Sequence, residues 1–322
     1  MNKIHCYGVY GELIAKYIEH KRNLGFKMEN TDFILGSFDK LATERNEKPI
    51  GISKELCDIW CQPRPMESSR TKHHRMSTLK GFSLFLNMLG YDSYIPKLPK
   101  FQSNFVPHIY TKDEMDKIFD ASNKIKTNYG NFSQTNCALP TIIRMLYGTG
   151  MRVGEAMNLT HGDINIDTGV VLIRDSKNGQ QRVVVMSRSL TEVCKDYIAH
   201  KEILNLPVEQ DSHFFVYADG HTCSKHNIGR QFRRILIRAG IPHGGNGNGP
   251  RLHDLRHTFC VNALVKMSEA GLDLYYSLPI LMTYVGHQSL EATEKYVRLT
   301  QAMYPKLLNQ VDAAYSSIFP EY

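Results

Sequence analysis

Between Tyr91 and His108 the chain loses all helical and strand periodicity. Pro96, Pro99 and Pro107 each remove a backbone donor and push the preceding residue toward extended conformation. A chain broken in this way folds on either side of the break. Its 322 residues, 42% of them hydrophobic, hold enough apolar material for about two cores of ordinary size. The expected division is a helical unit over 1–95, a linker over 96–110 carrying Lys97 and Lys100, a second unit over 111–300 and a tail over 301–322. The second unit opens on Thr111-Lys-Asp-Glu114, which has the spacing of a capping box.

Four short helices are expected before the linker. The first spans about Tyr10 to Leu24, with Leu13, Tyr17 and Ile18 as its apolar stripe. The second follows Thr31, and the third follows Ser53 and carries the sole tryptophan, Trp60. The fourth, starting near Met66, is basic over its first half (Arg70, Lys72, His73, His74, Arg75, Lys80) and apolar over its second (Phe82, Phe85, Leu86, Leu89). Such a helix can lie along a phosphate backbone while its apolar end is packed, and it equally suits a solvated face.

In the second unit an apolar run from Ile142 to Tyr147 ends at Gly148-Thr-Gly150, and a new helix starts with MRVGEAMNL. That places Arg152 in a first turn, against the helix dipole, with Glu155 as its nearest counter-charge. A β segment follows: Val170 to Arg174 as one strand, Asn178-Gly179 as a tight turn, and Arg182 to Met186 as the return. Lys177 stands at the tip of that hairpin. One helix is expected to be capped around Ser189 to Glu192. Another, capped by Ser224, carries Arg230, Arg233, Arg234 and Arg238 around apolar Ile228, Phe232, Ile235 and Leu236. The fold class is therefore mainly α with a small β hairpin or sheet (α+β).

Chemistry concentrates between His253 and Tyr296. His253 and Arg256 are three apart where an apolar-periodic run begins, so a helix sets both on one face. An imidazole and a guanidinium together suit a phosphate. Gly271 ends that helix. Ser277 and Pro279 signal another, closed by Gly286, so that His287 falls at a turn; Ser289 is positioned to cap the helix that carries Tyr296. A tyrosine ionises near pH 10 and is a weak nucleophile unless its neighbours stabilise developing negative charge.

The order H-x-x-R, then G-H, then a tyrosine nine residues after that histidine resembles the signature of the tyrosine recombinases, which include phage integrases and Xer-type resolvases. GTGMRVGEAMNL is similar to the family's first arginine motif. The resemblance has specific motifs over about 110–300 and is looser over 10–100, where it implies a core-binding (SAM-like) domain. It implies six catalytic groups, Arg152, Lys177, His253, Arg256, His287 and Tyr296, with Glu155 as a brace. Tyr296 would be the nucleophile that forms a 3′-phosphotyrosyl bond, the arginines a clamp on the phosphate, His253 and His287 the groups that take or share the phenolic proton and hydrogen-bond the phosphate, and Lys177 the acid toward the leaving 5′ oxygen. It also implies recombination of double-stranded DNA at specific sites by a homotetramer, with accessory or directionality factors, in the service of a mobile element, and no cofactor or metal. Phosphate contacts are expected from Arg70, Lys72, Arg75, Lys80, Arg182, Arg230 and Arg234. One departure from the family pattern is the stretch SEAGLDLYYSLPILMTYVGH, which adds two phenols, Tyr275 and Tyr276.

Composition narrows the alternatives. Residues 1–105 hold 16 Lys+Arg against 11 Asp+Glu, so most of the net charge of +7 lies in the first unit. The seven scattered cysteines fit a reducing compartment rather than a disulfide frame, and no apolar run is long enough for a membrane span or a signal peptide. A soluble cytoplasmic, nucleoid-associated protein is expected. Asp163, Asn165 and Asp167 share one turn and do not make the carboxylate cluster of a metal-dependent nuclease. A type IB topoisomerase, or a DNA-binding relative without catalysis, are the alternative readings. The weak apolar stripe after Tyr296 (Tyr304, Leu307, Leu308, Val311) suits a helix that docks on a neighbouring protomer or on its own chain. Truncation after Thr300 is expected to spare single-site binding and to lower synapsis in a gel-shift assay; unchanged synapsis removes the tail from protomer contacts.

Overall fold

The computed structural model describes residues 8–28, 30–47, 51–99, 106–124, 137–174, 181–244, 249–287 and 289–303. It divides into two compact units, 1–105 and 106–322. The described residues are mostly helical with one small antiparallel sheet.

In the first unit α1 (Gly11–Asn23), α2 (Thr31–Glu44), α3 (Lys54–Cys61) and α4 (Ser69–Met88) enclose Tyr10, Ile14, Tyr17, Leu35, Phe38, Leu56, Trp60, Leu79, Phe82 and Leu86. The stripe of α1 faces that core as its spacing requires. Ser53 caps α3 by accepting from the Leu56 amide. Asp39, buried on α2, accepts from the amides of Gly8 and Tyr10 and so fixes the chain entering α1.

Two expectations for α4 need correction. The helix begins at Ser69 behind a Ser68 cap, because Met66 takes a left-handed conformation (φ 61°) that no helix continues through. Arg75 does not face a phosphate backbone. Its guanidinium is buried against α3, donating to both Glu67 carboxylate oxygens at 2.7 and 2.8 Å, to the Gln62 carbonyl at 3.0 Å and to the Trp60 carbonyl, above the Trp60 ring. Arg70 is exposed, and Lys72 and Lys80 are half-buried. The buried arginine satisfies carbonyls at the end of α3 that would otherwise lack donors.

The second unit opens at α5 (Lys112–Asn123), where Thr111 and Glu114 form the expected reciprocal capping box. Around a core that includes Ile118, Ile142, Leu146, Val171, Val184, Phe214, Phe232 and Leu255 are arranged α6 (Leu139–Thr149), α7 (Val153–Asn158), α8 (Arg188–Ile203) and α9 (Lys225–Arg238). Ser187, not Ser189, caps α8 by accepting from the Leu190 amide, while Ser224 caps α9. The sheet runs β1 (Ile164–Asn165), β2 (Val170–Ile173), β3 (Arg182–Val185), all antiparallel, with Val171 opposite Val184. Val171, Ile173 and Val184 point inward, and Val183 and Val185 outward. The Asn178-Gly179 turn lies outside the described residues, as does most of the Gly244–Gly249 segment.

Three more helices complete the unit: α10 (Asp254–Glu269), α11 (Leu274–Val285) and α12 (Glu291–Met303). α11 starts earlier than its proline suggests. Asp273 caps it by accepting from the Tyr275 and Tyr276 amides, and Pro279 stands inside it. The Pro279 ring leaves the Tyr275 carbonyl without an intrahelical donor, a small cost because Tyr275 is exposed to water. α12 begins at Glu291, with the Leu290 carbonyl accepting from Thr293 and Glu294, so Ser289 lies one residue outside its start.

Arg75→Ala is expected to lower the stability of the first unit by about 2 kcal/mol, since it orphans a carboxylate and two carbonyls. Lys80→Ala should change it little. Thermal unfolding followed through Trp60 fluorescence checks both, and equal midpoints would remove Arg75 from the clamp.

Candidate active site

The site grows from the C-terminal end of α11. Gly286 adopts the left-handed conformation (φ 67°) that ends the helix, and the His287 amide reaches back to the Met282 carbonyl while the Gly286 amide reaches Thr283. Three carbonyls remain. Each is taken by a different arginine: Arg182 Nε donates to Tyr284 at 3.0 Å, Arg256 Nη2 to Val285 at 2.7 Å and Arg152 Nη2 to Gly286 at 2.9 Å.

Those arginines come from three separate elements. Arg152 precedes α7 in an extended conformation, so it is an N-cap residue and not a first-turn one; Glu155 accepts its amide at 2.7 Å and its Nη1 at 2.8 Å. Arg182, on β3, grips the same carboxylate with two parallel bonds of 3.0 and 2.7 Å. Its side chain is only 9% exposed, and Nε, Nη1 and Nη2 each donate to the Tyr284 carbonyl or to Glu155, so in this structure Arg182 braces the site from within rather than presenting the surface charge expected of it. Arg256, buried on α10, also donates to the Gly150 carbonyl at 2.8 Å. Gly150 must be glycine here: its φ is 64°, and a Cβ would lie 2.3 Å from the Phe259 ring.

His253 stands at the N-terminus of α10, its ring 4.9 Å from that of His257 one turn later. His287 Nδ1 is hydrogen-bonded to Thr293 Oγ1 at 2.9 Å, and its ring stacks on Tyr296 at 6.0 Å. Tyr296 is 1% exposed, set among Cys260, Val261 and Val297, and its hydroxyl lies 2.7 Å from His257 Nδ1. The structure thus brings together Arg152, Arg256, His253, His287 and Tyr296. Lys177 lies outside the described residues. Arg230 and Arg234 are exposed on α9, bonded to Asn227 and Gln231.

The electrostatics are those of a site poised for an anion. Desolvation, then the charges of Arg256 and Arg152, hold His253 at about 4 and His287 at about 3. His253 is reached by solvent, yet protein packs closely beneath its ring. Burial lowers Arg256 to about 10 and drives the Tyr296 phenol well above its usual range. Neutral imidazoles beside charged guanidiniums can donate to, or accept from, a bound phosphate without adding repulsion.

His257 was not singled out from the sequence. The available signal was its place four residues after His253, on the same helical face.

Comparison with known proteins gives the family and the fold. Residues 109–303, well over half of the chain, match the phage integrase family. A putative integrase/recombinase of Sinorhizobium fredii is 30% identical over 89% of this chain and 92% of its own length. The tyrosine recombinase XerC of Oceanobacillus iheyensis is 29% identical over 73% of this chain and 72% of its own. Among solved structures, a Tn1549 transposon integrase in complex with circular intermediate DNA superposes with a TM-score of 0.61 at 19% identity, covering 88% of this chain and 94% of that one. A lambda integrase dimer bound to a core site gives 0.59 at 18% identity, covering 87% and 95%. The chain belongs to the phage integrase family of tyrosine recombinases, enzymes that break and rejoin DNA strands.

Glu155 supplies a pH test of the brace. Burial alone would raise its pKa, but the hydrogen bonds from Arg182 and Arg152 outweigh it and hold the group at about 2, below its ordinary 4.5. A depressed carboxylate adds stability above pH 4.5 that is lost as pH falls through about 2. Glu155→Gln should flatten that acid-side loss and destabilise the unit at neutral pH by about 3 kcal/mol. Melting temperature against pH for both proteins is the measurement; parallel curves would mean that the carboxylate carries no such linkage.

Proposed function

We propose that the second unit performs site-specific recombination through a covalent phosphotyrosine at Tyr296. What supports this reading most is the pair Arg152 and Arg256, fixed by the consecutive Gly286 and Val285 carbonyls at the end of α11, with His253, His287 and Tyr296 beside them. Two guanidiniums offer planar donor forks to the non-bridging oxygens of a scissile phosphodiester, where negative charge accumulates during displacement. The Tyr296 oxygen forms a bond to phosphorus as the bond to the 5′ oxygen breaks, and that oxygen takes a proton, a role that the family resemblance gives to Lys177. One phosphoester replaces another, so the reverse attack by a 5′ hydroxyl reseals a strand without an external energy source.

Tyr296 is covered, so α12 has to shift before a phosphodiester reaches its hydroxyl. DNA engagement is the natural trigger, and four protomers on two sites would supply four such nucleophiles. Arg70, Lys72 and Lys80 of the first unit, and Arg230 and Arg234 of the second, would contact the backbone of double-stranded DNA. The relatives named as integrases and the transposon integrase neighbour favour a mobile-element role, in which accessory factors would set direction. The setting is the cytoplasm at the nucleoid; no described helix is long and apolar enough to cross a membrane.

A suicide DNA substrate tests the reaction directly. The wild-type chain is expected to form a covalent adduct on a denaturing gel, and Tyr296→Phe to lose it by at least about a thousandfold. An adduct that persists in Tyr296→Phe assigns the nucleophile elsewhere, and one that forms without strand exchange between two sites favours nick-and-reseal chemistry.

A further inference from the structure

Among the described residues, the Tyr296 hydroxyl is shared between the Cys260 thiol and a histidine, and that histidine is neither of the two beside the arginine clamp. His257 reaches the phenol with Nδ1 at 2.7 Å, both groups being buried. Taking up the nucleophile's proton calls for a neutral acceptor in contact with the attacking oxygen. The His287 ring lies parallel to that of Tyr296 with centroids 6.0 Å apart and uses its Nδ1 on Thr293, and the His253 ring meets that of His257 edge-on.

We propose that His257 is the general base for Tyr296, a reading that rests on the phosphotyrosine reaction above. As the Tyr296 oxygen bonds to phosphorus and the bond to the 5′ oxygen breaks, the phenolic proton moves to His257 Nδ1, leaving an imidazolium and a phosphotyrosine diester that keeps the single negative charge of the DNA phosphate, while the 5′ oxygen takes its own proton from the acid. The same proton returns when the 5′ hydroxyl attacks and the tyrosine departs.

The surroundings make this transfer dependent on substrate. His257 faces His253, Arg256 and Arg251 from its own segment, and Lys295 and Tyr296 from α12. Desolvation first, and then these positive neighbours, hold the imidazole at about 3, while burial keeps the phenol protonated. Without DNA the proton therefore stays on oxygen. A phosphodiester seated between Arg152 and Arg256 brings negative charge to the same cluster, which eases formation of both the imidazolium and the phenolate-like transition state. Because α10 carries His253, Arg256 and His257 within two turns, one rigid helix aligns the clamp and the base, and α12 packs on it through Cys260, Val261 and Val297. α12 has to move for the phenol to meet a phosphodiester, and to take the proton His257 must keep its contact with the Tyr296 oxygen through that movement.

The test is single-turnover adduct formation on the suicide substrate by His257→Asn, which can still hydrogen-bond the phenol but cannot take its proton. The expected loss is about a hundredfold or more. Installing a fluorinated, more acidic tyrosine at position 296 should recover at least about tenfold of that loss, because an acidified phenol depends less on a base, and should change the wild-type rate little. If His257→Asn lowers the melting temperature, His257→Gln replaces it in the same comparison. An adduct rate within about threefold of wild type, or a loss that the acidified phenol does not relieve, overturns the proposal and leaves His257 a packing residue. If His257→Asn is unimpaired while Tyr296→Phe is dead, only the base assignment fails; if Tyr296→Phe still forms adducts, the phosphotyrosine reading fails and takes this one with it.

Discussion

The end of one helix organises the catalytic unit. An α-helix leaves its last carbonyls without amide partners, and in a buried setting each would cost about 1–3 kcal/mol if left so. At the end of α11 two of these are closed by the turn through Gly286 and His287, and three are closed by Arg182, Arg256 and Arg152. The negative end of the helix dipole therefore gathers three guanidiniums from a strand, a long helix and a helix start. Satisfying backbone and building an anion site become one arrangement. Glu155 completes it by joining Arg152 to Arg182, so that positive charge is partly compensated while Arg256 keeps no carboxylate of its own among the contacts described.

That partial compensation shapes the protonation of everything nearby. Three histidines within reach of the clamp are held neutral, and the tyrosine keeps its proton in a dry setting. In the absence of an anion the cluster is a nucleophile at rest, and the ligand that fits it is the one whose charge would wake it. Such coupling needs no separate sensor, only proximity in a medium of low dielectric.

The first unit shows the same device put to a structural end. Arg75 closes carbonyls at the end of α3 and is balanced by Glu67, with Trp60 beneath it. Arg75 and Arg182 each look, in sequence, like charge available to a polyanion, and each is spent internally. Arg70 and Lys80 come from the same basic stretch as Arg75 but lie nearer the surface, because a helix turns residues five apart to different faces.

Much was legible from the chain alone. The proline-broken stretch announced two units, the periodicity and caps at Ser53, Thr111 and Ser224 announced their helices, and the spacing from His253 to Tyr296 announced the family, because local geometry follows from neighbours a few residues apart. Helix starts were less legible where a cap competed with a stronger signal, as at Asp273 ahead of Pro279. What only the tertiary structure decided is which carboxylate or carbonyl each arginine meets across gaps of 27 to 134 residues, from Glu155 with Arg182 to the Gly286 carbonyl with Arg152. It also decided that Tyr296 rests on His257, 39 residues away. Partner choice at that range depends on how helices pack, and a helix's own sequence sets its face but not the neighbour that the face meets.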